Sequence, residues 1–138
     1  MPNPSLLEGS GIQYGWGISV DERMRTSAED VYAAGDLAET RDRLTGETYV
    51  HAIFPNAEEQ GRVVGLNLPG YDTVYEGSDR INSLKHLGVL IMAVGLKEGD
   101  QILRDHRVGH LRTLYLGEDR LVGFPSVGDI QTTVYCAR

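Results

Sequence analysis

The chain has 138 residues, 41% of them hydrophobic and 24% charged, which suits one ordinary domain or two small ones. Its formal charge of −7 argues against a nucleic-acid surface, where clustered Lys and Arg would neutralise phosphate. No apolar stretch approaches the ~20 residues of a membrane helix, and the longest, residues 88–96, has the length of a strand.

Residues 1–11 hold two prolines, two serines and two glycines around Leu6 and Leu7, and read as irregular. They lack a basic segment followed by an apolar one, so no signal peptide is expected. Residues 15–20 and 23–27 are two short extended stretches joined at Asp21 and Glu22, as in a hairpin. Residues 31–34 (Val-Tyr-Ala-Ala) form a short apolar run that stops at Gly35 and Asp36, the pattern of a buried strand whose end faces a ligand. Gly35 allows close backbone approach, and an ionised Asp36 offers acceptors to a sugar or polyol hydroxyl. From these six residues alone a second reading stands beside it, a strand followed by a turn with Asp36 capping locally.

Residues 37–50 are polar and rich in turn formers and read as a loop, with Arg41, Asp42 and Arg43 as a solvated cluster. A helix is expected from Pro55 to about Asn67. Asn56 suits its N-cap, Glu58 and Glu59 its first turn, and Ala57, Val63, Val64 and Leu66 its apolar spacing. Leu68, Pro69 and Gly70 end it.

Beyond Gly70 the composition changes to strand-length pieces: residues 73–75, 83–86, 89–94, 101–105, 110–116 and 120–127. Gly117, Glu118 and Asp119 make a hairpin loop. Alternation in Leu111, Thr113, Tyr115 and in Leu121, Gly123, Pro125 predicts a small antiparallel sheet. The fold class is therefore α+β, with residues 1–70 and 71–138 as two parts. No Gly-x-Gly-x-x-Gly turn occurs, and Gly9, Gly11, Gly15 and Gly17 read as loop glycines. Cys136 is the only cysteine, so there is no redox pair and no disulfide framework, which favours a reducing, cytoplasmic compartment.

The stretch from Gly17 to Asp36, with its Thr26-Ser27 turn and Ala34-Gly35-Asp36 ending, resembles the second flavin-binding motif of the FAD-dependent pyridine nucleotide–disulfide oxidoreductases. The resemblance covers residues 1 to about 70. It implies that Asp36, beside Gly35, hydrogen-bonds the FAD ribitol, and that the helix start at Asn56, Ala57 and Glu58 points at the flavin ring. The second half, with its glycines and hairpins from Tyr75 to Ile130, resembles the C-terminal domain of rubredoxin reductase-like and nitrite reductase large-subunit-like enzymes. Residues 131–138 depart from that pattern.

The resemblance implies a partial FAD-domain segment (hairpin, buried strand, helix) followed by a β-rich interface domain. The glycine-rich pyrophosphate turn and the NAD(P)H domain of such enzymes are not among these residues, so the chain would be a C-terminal portion that is not catalytic alone. Its FAD would belong to the parent enzyme, and its partners would be the missing FAD/NAD(P)H domains and a second copy, paired through the exposed strand edge. Two other readings compete: an assembly module that binds no cofactor, and an unrelated small α/β binding domain.

Among single residues, Trp16 is expected as a partly buried anchor rather than a flavin-stacking ring. His51 is expected as a structural histidine rather than a flavin contact. His86, His106 and His110 fit no metal-ligand spacing.

Overall fold

In the computed structural model, which describes residues 3–85 and 88–128, the chain divides into two units, Met1–Ser78 and Asp79–Arg138. No helix among the described residues is long and apolar enough to cross a membrane.

The first unit opens with a 3-10 turn, Pro4–Leu7, capped by the Asn3 side chain. Its sheet has three strands in the order β1 (Ile18–Ser19), β2 (Ala38–Arg41), β3 (Thr48–Val50). β1 and β2 run parallel, and β2 and β3 antiparallel. A single helix, α1 (Phe54–Asn67), follows. The core gathers Met24, Ala38, Val63 and Tyr75, with Val20, Tyr32 and Val64 packed against it.

Several expectations change here. Residues 37–50 are not all loop, because β2 and β3 lie within them. The inward positions of β2 are Ala38 and Thr40, a small residue and a hydroxyl, so the alternation of burial leaves little hydrophobic signal. Asp42 is not solvated. It is fully buried, and its Oδ1 accepts from the Leu44 and Thr45 N–H groups, both at 2.9 Å, shaping the turn between β2 and β3.

The expected hairpin over residues 15–27 is reduced to its turn. Asp21 Oδ1 accepts from Arg23 N–H at 2.8 Å and Arg25 N–H at 2.9 Å, and Met24 takes a φ of 65°. The two arms then part: Ile18 and Ser19 pair with β2, whereas Arg25 bridges Tyr32.

Residues 31–34 run extended beside residues 24–26, through Thr26 N–H to Val31 O at 2.8 Å and Ala33 N–H to Met24 O at 3.1 Å. Among the described residues this stretch has a ladder on that side alone, Val31 is 39% exposed, and Ala34 is exposed as well. Its residues are exposed or half-buried, so it is not buried on both faces, and its second edge has no partner among the described residues.

The N-cap of α1 is Ile53, without a side-chain cap bond, rather than Asn56. Glu58 and Glu59 therefore fall beyond the first turn. The buried stripe is Asn56, Gln60, Val63 and Asn67, so three of its four positions are amides. Asn67 closes the helix end onto two loops: its Nδ2 donates to Arg23 O at 3.0 Å and Thr73 O at 2.8 Å, and its Oδ1 accepts from Thr73 N–H at 2.7 Å. Gly70 follows at a φ of 103°, consistent with the expected stop. Residues 73–75 do not form a strand: Thr73 is held by Asn67, and Tyr75 N–H donates to Glu22 O at 2.7 Å.

The second unit is one antiparallel sheet in the order β4 (Ile81–Leu84), β5 (Ile91–Gly95), β8 (Arg120–Val127), β7 (His110–Gly117), β6 (Gln101–Arg107). Glu118 and Asp119, at φ values of 50° and 58°, make the tight turn between β7 and β8 that was expected there. The alternation in the sequence corresponds to one face: Leu111 stands opposite Val127, and Tyr115 opposite Gly123. At Gly123 a Cβ would lie 1.8 Å from the Leu96 carbonyl oxygen, so only glycine lets residue 96 cross there. Cys136, His86 and residues 131–138 lie outside the described residues.

Candidate functional site

The candidate site lies where the 31–36 segment ends beside the start of α1. Gly35 adopts a φ of 81°, and Ala38 N–H donates to its carbonyl at 3.0 Å, so the chain turns sharply between the extended segment and β2. A Cβ built on Gly35 would lie 3.8 Å from the Ala57 Cβ, which places the turn against the first turn of the helix. Asp36 is at the tip of that turn, exposed to solvent. Glu58 is exposed on the helix, and Asn56 is buried. Gly35 and Ala57, 22 positions apart in the sequence, are thus in contact range, with Asp36 one residue away.

Behind this turn lies a group of polar side chains that the hydrophobic pattern did not reveal. Gly35 N–H donates to Gln60 Oε1 at 2.7 Å, and Gln60 is 1% exposed. Gln60 Nε2 faces Tyr75 Oη and Ser78 Oγ, both at 3.4 Å. Ser78 Oγ lies 2.9 Å from Tyr75 Oη and 2.7 Å from Thr40 Oγ1. The one available signal was spacing: Gln60 falls four residues after Asn56 and three before Val63, on the buried stripe.

A second pair packs nearby in the sequence. His51 Nε2 is 3.3 Å from Asp42 Oδ2, with side chains 7% and 1% exposed, and the His51 ring meets Tyr49 edge-on at 5.6 Å. Trp16 does not anchor a loop: it is 66% exposed. His106 is exposed on β6, and His110 follows across the Gly109 turn.

The donor set fits part of a dinucleotide-type cofactor. A carboxylate at the tip of a glycine turn offers acceptors to a polyol, and a helix start beside it brings positive dipole. Neither feature is a pyrophosphate cradle.

Solved structures of NAD- and NADH-linked oxidoreductases superpose on this chain. A NAD-dependent persulfide reductase from A. fulgidus superposes with a TM-score of 0.79 at 27% identity, over 98% of this chain and 29% of that one. An NADH:rubredoxin oxidoreductase from Clostridium acetobutylicum gives 0.74 at 28% identity, over 99% of this chain and 35% of that one. The NADH-dependent phenylglyoxylate dehydrogenase subunit epsilon of Aromatoleum evansii is 34% identical over 136 residues, 93% of this chain and 32% of that protein.

Residues 1–61 match the family described as pyridine nucleotide-disulphide oxidoreductase, and these relatives support the same family for the chain. It spans about a third of the length of these relatives.

Proposed function

We propose that the chain supplies part of the flavin site and an assembly domain of an FAD-dependent NAD(P)H oxidoreductase of the reducing cytoplasm. In this reading the C-terminal segment of an FAD-binding domain, expected over residues 1–70, corresponds to the first unit, which runs on to Ser78, and the interface domain, expected over residues 71–138, to the second. The single observation that carries it is the contact-range placement of Gly35 and Ala57 with Asp36 at the turn's tip.

FAD, when bound, supplies the ring that takes and passes a hydride. Asp36 would accept a hydrogen bond from a ribitol hydroxyl, and the open backbone of Gly35 would let the cofactor come close. The start of α1 at Asn56, Ala57 and Glu58 would turn positive dipole toward charge on the ring. Nicotinamide binding and hydride transfer would depend on domains other than these, so in this reading the isolated chain is not catalytic and holds FAD only weakly.

The supporting comparisons are proteins whose own names state NADH- or NAD-linked oxidation or reduction, one of them a subunit of a larger enzyme. A two-fold dimer is part of the reading, supported by the one-sided pairing of residues 31–34 and by Ile102 on β6 and Leu111 on β7, which share a sheet face and are 50% and 37% exposed.

The test is a titration of the purified chain with FAD, followed by flavin fluorescence. Weak but saturable binding that Asp36→Ala abolishes supports the reading. Lack of saturation into the millimolar range favours a module that assembles without cofactor.

A further inference from the structure

The glycine turn at the candidate site is held from behind by one side chain. Gln60 is 1% exposed and hands its Oε1 to the Gly35 N–H at 2.7 Å. Only one orientation of its amide works. Rotated by half a turn, Gln60 would set an NH2 against the Gly35 N–H, donor against donor. The correct orientation is favoured by the other end of the amide. Nε2 faces Tyr75 Oη and Ser78 Oγ, which can both accept from it, and Ser78 Oγ is in turn within 2.9 Å of Tyr75 Oη and 2.7 Å of Thr40 Oγ1. Thr40 is 3% exposed, Tyr75 6% and Ser78 1%, so these groups exchange few hydrogen bonds with water.

We infer that Gln60 is a positioning residue for the flavin-facing turn, fixing the Gly35 backbone and thereby the direction of Asp36, with the Thr40–Ser78–Tyr75 hydroxyls locking the Gln60 amide. The inference rests on the flavin reading for what the turn faces, but not for the coupling itself. Gln60 touches no cofactor. It acts through Gly35, and its stripe position on α1 ties the turn to the same helix whose start adjoins Gly35 at Ala57. Turn and helix start are thereby set relative to each other by a hydrogen bond as well as by packing.

The test is amide hydrogen exchange by NMR on the full chain, in the parent, Gln60→Met, Gln60→Glu and Val63→Ala. Methionine keeps the length but loses the strong acceptor; glutamate keeps the acceptor. Val63→Ala loosens the same helix without touching Gly35. In Gln60→Met the Gly35 amide is expected to exchange about tenfold faster than the general acceleration shared with Val63→Ala. In Gln60→Glu it stays protected, because the side chain still offers a carboxyl oxygen to the Gly35 N–H. Gly35 exchange that merely tracks the rest of the chain in Gln60→Met overturns the inference. Should that variant not fold, a Gly35 amide that loses its protection in Gln60→Glu beyond the loss shared with Val63→Ala overturns it instead.

FAD titration of the same samples separates the two readings. If the parent binds FAD, Gln60→Met should weaken it about tenfold, and equal binding overturns the positioning role. If the parent binds none while Gly35 responds as expected, the flavin reading fails and the coupling of Gln60 to the turn stands.

Discussion

Gly35 and Asp36 differ in what a substitution would do, although they are neighbours. Gly35 sits at a φ of 81° with an ordinary contact distance of 3.8 Å waiting for a Cβ, so Gly35→Ala has room but pays conformational strain. We expect a loss of about 1–2 kcal/mol in urea unfolding, from the left-handed backbone alone. Asp36 is exposed, and Asp36→Ala should leave stability within about 0.5 kcal/mol of the parent while removing FAD association. Gly123 is the opposite case to Gly35. A Cβ 1.8 Å from the Leu96 carbonyl oxygen cannot be accommodated without moving backbone, and Gly123→Ala should destabilise the second unit by about 3 kcal/mol or more, read from loss of its strand signal on heating. At this scale the sequence marked Gly35 and Asp36, because an abrupt stop after an apolar run is visible in one dimension. Gln60 and Asp42 were not visible, because what distinguishes them is burial among groups 15 to 25 residues or more away, or a turn that only the folded backbone defines.

The helix shows why elements are legible while their faces are not. Pro55 near its start and Gly70 past its end set the extent of α1 within one residue, yet its buried stripe of Asn56, Gln60, Val63 and Asn67 carries one apolar side chain. Buried amides are tolerated where each finds partners, and Asn67 makes three hydrogen bonds to Arg23 and Thr73. Asn67→Ala should cost about 2–3 kcal/mol by urea unfolding, since it leaves an N–H and two carbonyls short of partners. The loop it holds is also tied by Arg23 to Asp72, whose Nη2–Oδ2 contact is 3.1 Å. The Arg23 guanidinium holds the Asp72 carboxyl below the usual carboxylate range, first by hydrogen bonding and then by charge. The folded value lies below the unfolded one of about 3.9, so the contact stabilises fully above that pH and is lost as pH falls through the folded value. The pair is solvent-exposed and its effect small. Asp72→Asn should be slightly less stable than the parent at neutral pH, with the difference closing in acid below about pH 4.

For the whole molecule, the apolar surface left on the second unit and the one-sided extended segment of the first both lack covering partners among the described residues. Sedimentation equilibrium should therefore give twice the single-chain mass of 15.2 kDa; a single-chain mass at micromolar concentration would count against the dimer. The amino-acid order alone determined the α+β class, the extent of the helix, the hairpin at Glu118 and Asp119, and the stop of the apolar run at Gly35 and Asp36, since each follows from local propensity, capping or period. Tertiary structure decided that β2 and β3 exist within a polar stretch, that the 31–34 segment pairs on one side, and that a buried amide and three hydroxyls stand behind Gly35. Those outcomes depend on which distant groups satisfy buried polar atoms, and hydrogen-bond satisfaction is a property of neighbours in space rather than of neighbours along the chain.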